Sequence, residues 1–451
     1  MKLLHLHLHD RYRSLPAGFR VEFLQEAEKP RCFEFAPFCL AGLNGSGKSN
    51  LLEALAAIFY HIEVMHLTFR PDNFTAEENP DGFDSRKGEP DAYELEYYCQ
   101  DDNLRNTWDN FRWDDTSWDE QPVVHIRLTK KVGTAPVMQW LNRHEFDAEN
   151  KPLELTSLEA KRYLPRYILG YSSGHNEVLS LPFRKMRCIH FDEYRHYLRK
   201  SLPYSKPEGR MLFMDESYSQ VILLCHFLFP SSAVQQVFLK KVGLVGIRRF
   251  RFVIRRAEKV KSEAGEIELT SRLSGKQDAE GKLQARLLDK LIQCATCHYE
   301  DYRYEADEDA YDLYLDYLMD EAGEMRKAFR YHFGEGAENA SEELVMAKSA
   351  LNLFEALHVL LTLNGYQTSD EVKKDLYESH SLYSAETLPT PASHDRIFRI
   401  KDFELVKKGV NGQLYGKALS DGEHQLLHTS ASACSSAMNP LYSSWMSRKR
   451  I

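Results

Sequence analysis

Hydrophobic and polar residues alternate at the N-terminal end of the chain, in residues 3–9 and again in residues 19–23. This period of two predicts a pair of β-strands. Residues 33–40 are more continuously apolar, which predicts a third and more buried strand. From Ser49 onward the apolar residues follow helical spacing, and no proline occurs before Pro71. The apolar stripe of this predicted helix consists of Leu51, Leu52, Leu55, Ile58 and Phe59.

The middle of the chain continues the strand pattern and then becomes mostly helical. Strands are predicted at residues 93–99, 123–132 and 166–171. Between residues 183 and 391 helical stripes predominate, and one strand-like stretch at residues 245–256 mixes apolar with basic side chains. The helical stripes lie at residues 221–229, 283–291, 311–318 and 351–363.

The C-terminal part begins with a predicted strand at residues 396–406 and a turn at residues 409–416. A chain of 451 residues exceeds what one hydrophobic core usually serves. We therefore expect an α/β protein with three regions. These are an N-terminal lobe at residues 1–182, a mostly helical insertion at residues 183–395, and a C-terminal lobe at residues 396–451.

The loop between the third predicted strand and the first predicted helix matches G-x-x-x-x-G-K-[ST], the pattern of a phosphate-binding P-loop. Its glycines let the backbone curl so that N–H groups point at phosphate oxygens, at the positive end of the following helix. The loop predicts binding of ATP with Mg²⁺. Its residues are Gly42, Leu43, Asn44, Gly45, Ser46, Gly47, Lys48 and Ser49.

Two side chains of this loop have specific expected roles. Lys48 is expected to reach the β- and γ-phosphates and to offset their charge. The hydroxyl of Ser49 is expected to ligate the Mg²⁺ that bridges those phosphates. The alternative, a glycine-rich turn that matches by chance, is disfavoured because a strand and a helix are predicted on either side.

A second motif lies at residues 419–423, near the other end of the chain. It resembles the LSGGQ/E signature of ATP-binding-cassette proteins. In that family the signature of one subunit contacts the γ-phosphate held by the P-loop of another, which implies a head-to-head homodimer. The alternative is a polar helix start that matches by chance. The residues are Leu419, Ser420, Asp421, Gly422 and Glu423.

The sequence NGSGKSNLLEAL, with a signature far downstream, resembles the chromosome-maintenance and RecF-type ATPases. More specifically, it is similar to AAA-family ATPases found beside bacterial restriction and phage-defence systems. The resemblance covers residues 1–62 and 396–428. It implies the fold of an ABC/SMC-type P-loop ATPase head, split by the insertion, and a DNA or nuclease partner.

The residues after the signature depart from that family. Its members carry an apolar strand that ends in Asp-Glu, the Walker B carboxylates that support Mg²⁺ and orient the attacking water. Residues 429–451 of this chain contain no acidic residue, so no catalytic carboxylate is identified. Hydrolysis by this chain is therefore in doubt.

A frameshift explains this tail. Trp445 and Met446 have single codons, and reading from the third base of the first gives an Asp codon. With allowed codon choices, residues 442–451 and the third base of the Leu441 codon can encode LFLLDEPETH in that frame, which is the missing strand and acidic pair. We therefore infer a frameshift near His428 or Thr429 and an incomplete C-terminal lobe; the alternative is a coincidence among degenerate codons.

Charge and hydropathy exclude few classes of protein. The formal net charge of −9 gives no overall attraction to nucleic acid. No apolar run approaches the roughly 20 residues needed to span a bilayer, and the N-terminal residues lack the apolar stretch of a secretion signal. These features predict a cytoplasmic protein without a membrane partner.

Three weaker signals have ordinary explanations. The sequence CATCH at residues 294–298 matches a haem-attachment pattern, but it continues a helical stripe and we expect no haem. Seven basic residues crowd residues 248–261, either as a contact for nucleic-acid phosphates or as a solvated strand face. His5, His7 and His9 share a strand face, but no matching carboxylate or cysteine lies nearby on that face in sequence, so exposed histidines are expected rather than a metal site.

These signals leave three hypotheses about function. One is an ATPase-type switch in which ATP closes a dimer and the insertion transmits this closure to a DNA or nuclease partner. A second is a protein that binds ATP without hydrolysing it, or an inactive remnant. A third is a RecF-type ATPase of DNA repair or recombination.

Overall fold

The computed structural model of the chain describes a mixed α/β protein with two five-stranded antiparallel sheets. The described residues are 1–25, 38–74, 83–100, 123–146, 151–172, 177–202, 204, 206–230, 238–256, 258–262, 265–271, 273, 286–302, 311–320, 323–334, 342–378, 391–410, 412–420, 422–424 and 426.

The first sheet is built from the N-terminal strands, and all of its strand pairs are antiparallel. Its inner face is apolar because alternate residues point inward, as Leu6 and Leu95 do. Every strand predicted from alternation in this region is confirmed. In spatial order the strands are β2 (Arg20–Glu22), β1 (Lys2–Leu8), β3 (Tyr93–Gln100), β4 (Val123–Lys130) and β5 (Val137–Trp140).

Helix α1 (Lys48–His66) covers the inner face of this sheet. It buries Leu51, Ala54, Ile58 and Ile62 at helical spacing, which confirms the predicted helix. The predicted stripe is only partly right, because Leu52 is 47% exposed. Of the strand predicted at residues 33–40, residues 33–37 lie outside the described residues, and residues 38–40 are not in a strand.

A smaller group of elements lies between the two sheets in sequence. Strands β6 (Ile168–Gly170) and β7 (Met211–Phe213) form a short parallel pair, and β6 confirms the strand predicted at residues 166–171. Helix α3 (Glu177–Arg199) packs against α1. Helix α2 (Ser157–Tyr163) also belongs to this group. A separate hairpin of β9 (Lys259–Ser262) and β10 (Gly265–Glu268) follows the first strand of the second sheet in sequence.

The second sheet is completed from residues far apart in sequence. In spatial order its strands are β11 (Cys297–Tyr302), β12 (Tyr311–Leu318), β8 (Leu244–Arg255), β13 (Phe398–Lys407) and β14 (Leu414–Tyr415). The predicted C-terminal lobe and the predicted insertion therefore share one sheet, because β13 pairs with β8. Strands β8 and β13 confirm the strands predicted at residues 245–256 and 396–406.

Helices cover the second sheet and build the largest core cluster of the described residues. Those predicted at residues 221–229 and 351–363 are confirmed, and the stripe at residues 283–291 is confirmed from Leu287 onward. The helices are α4 (Glu216–Leu228), α5 (Leu287–Cys294), α6 (Glu324–Phe333), α7 (Glu342–Thr362) and α8 (Asp370–Glu378).

The helix predicted at residues 311–318 is wrong, because these residues form strand β12. Leu313, Leu315 and Tyr317 are buried at a spacing of two. The insertion therefore contains sheet as well as helix.

The segment Val345–Gln367, which includes most of α7, is long and apolar enough to cross a membrane. In this structure, however, 61% of its most apolar window is buried inside the protein. Leu353, Leu357 and Leu360 belong to the core cluster of the second sheet. Burial of this kind is compatible with a soluble protein, and the cytoplasmic location stays a prediction.

Candidate nucleotide-binding site

The predicted P-loop is a tight turn that leads directly into α1. Gly45 and Gly47 have φ angles of 84° and 86°, in the left-handed region that favours glycine. Gly47 caps the N-terminus of α1 in this conformation, and the helix begins at Lys48. The free N–H groups of the first helical turn therefore lie directly beside the loop.

Lys48 turns its ammonium group back onto its own loop. Its Nζ donates hydrogen bonds to the carbonyl oxygens of Gly42 and Leu43, each at 2.8 Å, and approaches Ser46 Oγ at 3.4 Å. The positive charge is thus held at the mouth of the loop, and contact of Lys48 with phosphates stays a prediction. The remaining predicted phosphate-binding residue, Asn44, is exposed at the turn.

The loop lies at the protein surface. Gly42, Gly45, Ser46 and Ser49 are exposed, and the Leu43 side chain at the tip is 85% exposed. A hydroxyl at the first turn of a helix, as on Ser49, suits a Mg²⁺ ion that bridges phosphates. The residues present therefore fit a polyphosphate with its divalent cation.

Residues Tyr12–Leu15 pack against the start of α1, a contact that the sequence motifs do not reveal. A Cβ atom on Gly47 would lie only 2.7 Å from Leu15 Cδ2. The Ser14 hydroxyl and the Asn50 side-chain amide are 2.5 Å apart. Arg13, whose φ of 55° is unusual for a residue other than glycine, pairs with Glu53 of α1. The segment before β2 thus positions the loop.

A cavity of about 770 Å³ lies along α1 beyond this contact. It is lined by charged groups of both signs, among them Glu53, Lys87 and Lys185. Burial lowers the pKa of Lys185 to about 8, and burial also lowers the pKa of His61, on the same wall, to about 4. The mixed charges favour no single ligand class.

The signature-like residues form a helix start on the second sheet. The Ser420 hydroxyl and the Glu423 carboxylate cap each other, with Ser420 N donating to Glu423 Oε2 at 2.8 Å. Glu423 also pairs with Lys407 of β13, and Leu419 is buried. Gly422 is in the first turn, and Asp421 lies outside the described residues. This capping box is also what an ordinary polar helix start would form.

The basic stretch of β8 is paired with carboxylates from neighbouring strands. Arg248 and Arg249 lie 2.9 Å and 3.0 Å from oxygens of Glu404, whose side chain is only 2% exposed. Arg251 pairs with Asp316 of β12. These contacts favour the interpretation as an ion-paired strand face over a contact for nucleic acid.

His5 of β1 has two carboxylates beside it, contrary to the expectation from sequence. His5 Nε2 is 3.2 Å from Glu94 Oε1, and His5 Nδ1 is 3.9 Å from Glu96 Oε2. Both carboxylates belong to β3, and Glu94 is 89 residues from His5 in sequence. Pairing of β1 with β3 brings them together, which inspection of neighbouring residues could not detect.

Glu96 is the best-connected carboxylate of this group. His125 Nε2 lies 2.7 Å from its Oε2, and Arg127 Nε donates to its Oε1 at 2.6 Å. Burial raises the pKa of Glu96, but the hydrogen bonds from His125 and Arg127 outweigh burial and lower it to about 2. The carboxylate is therefore ionised at neutral pH.

Cys294 and Cys297 differ in surroundings. Helix α5 ends at Cys294, which is buried, and the exposed Cys297 begins β11. This confirms the helix end predicted for the CATCH sequence.

The tail for which a frameshift is inferred, residues 429–451, lies outside the described residues. The structure describes the predicted site residues of the loop and, apart from Asp421, those of the signature. Comparison of the chain with protein-family models, with curated proteins and with solved structures finds no match.

Proposed function

We propose that this protein binds ATP with Mg²⁺ at residues 42–49 and acts as an ATPase-type molecular switch. The single observation that carries the proposal is the loop itself. A P-loop sequence stands at the N-terminus of a 19-residue helix, with two left-handed glycines and an inward-turned lysine. A loop of this sequence and geometry is suited to a polyphosphate anion.

In this proposal the residues of the loop have different roles in binding the nucleotide. Lys48 exchanges the carbonyl oxygens of Gly42 and Leu43 for phosphate oxygens, so its charge is partnered both with and without ligand. The backbone N–H groups of Gly45, Gly47, Lys48 and Ser49 donate to the phosphates, and Ser49 holds Mg²⁺. The Ser46 N–H donates to Leu43 O at 3.2 Å. The cation supplies charge neutralisation for phosphoryl transfer.

The switch itself is proposed from resemblance. By analogy with cassette ATPases, ATP joins two copies, with residues 419–423 of one copy facing the loop of the other. The second sheet and its helices then pass this closure to a DNA or nuclease partner in a bacterial restriction or phage-defence system. The exposed loop of this chain is compatible with access by a second copy.

A second candidate is an ATP-binding protein that does not hydrolyse ATP. It is favoured by the composition of residues 429–451, which contain no carboxylate to orient the attacking water. Binding and turnover measured on the same preparation separate the two candidates.

The test of nucleotide binding is isothermal titration calorimetry with ATP and Mg²⁺. Lys48→Ala is expected to weaken binding at least tenfold, whereas Lys131→Ala, an exposed lysine of another loop, is expected to bind as the wild type does. Thermal unfolding of both variants shows that they are folded. Equal affinity of Lys48→Ala and wild type would refute the assignment of the site.

A further inference from the structure

The outer face of the first sheet brings together nitrogen and oxygen donors of three residues. His5 of β1 stands opposite Glu96 of β3 in register, and Glu94 lies two residues away on the same face. One donor atom from each side chain can be chosen so that all three lie within 4.8 Å of one another. We propose that His5, Glu94 and Glu96 bind a transition-metal dication of the Zn²⁺ type.

The spacing suits such an ion. Donor atoms around a tetrahedral zinc ion, at bond lengths of about 2.0–2.2 Å, lie roughly 3.3–3.6 Å apart. His5 Nε2 and Glu94 Oε1 are already 3.2 Å apart. The paired strands fix the backbones of all three residues. Side-chain rotation alone therefore has to bring the Glu96 oxygen to bonding distance of the metal. A water molecule completes the fourth position.

Two neighbours hold Glu96 in orientation. Arg127 donates to Oε1 at 2.6 Å, and His125 Nε2 lies 2.7 Å from Oε2, which keeps a second lone pair for the proposed metal. Hydrogen bonds of this kind to a ligating carboxylate orient it and tune its affinity. Arg127 Nε also lies 3.7 Å from Glu94 Oε2, so a single positive charge faces two carboxylates. One negative charge of the carboxylate pair is left to attract a dication.

The donor set distinguishes this ion from the Mg²⁺ proposed at the loop. Mg²⁺ prefers six oxygen ligands, whereas imidazole together with carboxylates favours Zn²⁺ and similar metals. The group is also more enclosed than a surface pair of acids, since the side chains of His5 and Glu96 are 14% and 7% exposed. Metal binding at this site is thus not expected to require nucleotide. The bound metal would cross-link side chains of the paired strands β1 and β3.

The test is calorimetric titration of Zn²⁺ alone into the full chain, without affinity tag or nucleotide and after treatment with chelator. We expect one equivalent to bind and Mg²⁺ not to compete. Glu94→Gln, which is nearly isosteric and partly exposed, and His5→Gln are each expected to weaken binding at least tenfold.

The matched control is the double variant His7→Gln/His9→Gln. The rings of these two histidines are 4.2 Å apart and offer an alternative chelating pair next to the site. This control is expected to bind Zn²⁺ as the wild type does, and the zinc-free forms of all variants are expected to unfold at similar temperatures. Binding that survives Glu94→Gln and His5→Gln but is lost in the control would overturn the proposal, as would absence of binding to the wild type.

Discussion

Replacing Gly47 by alanine tests whether the contact between the loop and Leu15 is as tight as the structure shows. Gly47 has a φ of 86°, and an added Cβ would lie 2.7 Å from Leu15 Cδ2. Leu15 is 2% exposed and cannot move into solvent. Gly45 is the matched control, because its φ is 84° and a Cβ there would contact nothing within 4 Å.

The expected losses differ because only one position is crowded. A left-handed φ costs an alanine about 1–2 kcal/mol at either site. Overpacking against Leu15 adds about 1–3 kcal/mol at Gly47 alone. We therefore expect Gly47→Ala to lower the free energy of unfolding by about 2–5 kcal/mol and Gly45→Ala by about 1–2 kcal/mol.

The assay is urea unfolding of the two single variants, of Leu15→Ala, and of the double variant Gly47→Ala/Leu15→Ala. Truncating Leu15 removes the clash, so the double variant is expected to be more stable than the sum of the two losses by about 1 kcal/mol or more. Equal losses of unfolding free energy in Gly45→Ala and Gly47→Ala would show that a side chain at position 47 does not clash with Leu15. Strict additivity of Gly47→Ala with Leu15→Ala would show the same.

Three further predictions concern acid stability, the basic strand and turnover. Burial lowers the pKa of His61 and of His226 to about 4, so both imidazoles are neutral in the fold. Each is therefore expected to remove up to about 1.4 kcal/mol of stability per pH unit as the pH falls from about 6.5 to 4. A midpoint of thermal unfolding that stays constant over this pH range would contradict this prediction. The double variant Arg249→Gln/Arg251→Gln is expected to leave the salt dependence of any duplex-DNA binding unchanged, because both arginines already pair with carboxylates. If the log–log slope of affinity against salt concentration fell by about two, both arginines would be phosphate contacts. Steady-state phosphate release is expected to be roughly 10²- to 10⁴-fold slower for the 451-residue chain than for a version restored to the alternative frame after about Thr429. The Lys48→Ala variant of each protein gives the background rate. Equal rates would mean that the catalytic carboxylate lies elsewhere in the chain.

Local signals predicted the parts of the fold that depend on nearby residues. The glycines of the loop and helix α1 lie within one short segment, and the helix is confirmed although Leu52 of its predicted stripe is exposed. Strand β12 was misread because aromatic and aliphatic residues are dense in residues 311–318, and this density hid the alternation of buried positions.

Contacts between segments that are distant in sequence could not be predicted from these local patterns. Glu94 and Glu96 meet His5 only because β1 and β3 pair, and Glu404 meets Arg248 across 156 residues. The packing of Leu15 against Gly47 likewise depends on how the chain returns to the sheet. A strand pairing places residues together without leaving a trace in the neighbouring sequence.

The pairing of β8 with β13 also has a consequence for synthesis of the protein. At roughly 5–20 residues per second, a ribosome needs about 8–30 s to add the 156 residues that separate Arg248 from Glu404. During this interval the nascent β8 has an open edge and carries Phe250 and Phe252 between arginines. Charged residues beside apolar ones discourage pairing with other chains. We therefore expect the arginines that pair with Glu404 and Asp316 in the folded protein to discourage pairing of β8 with other chains until β13 has been made.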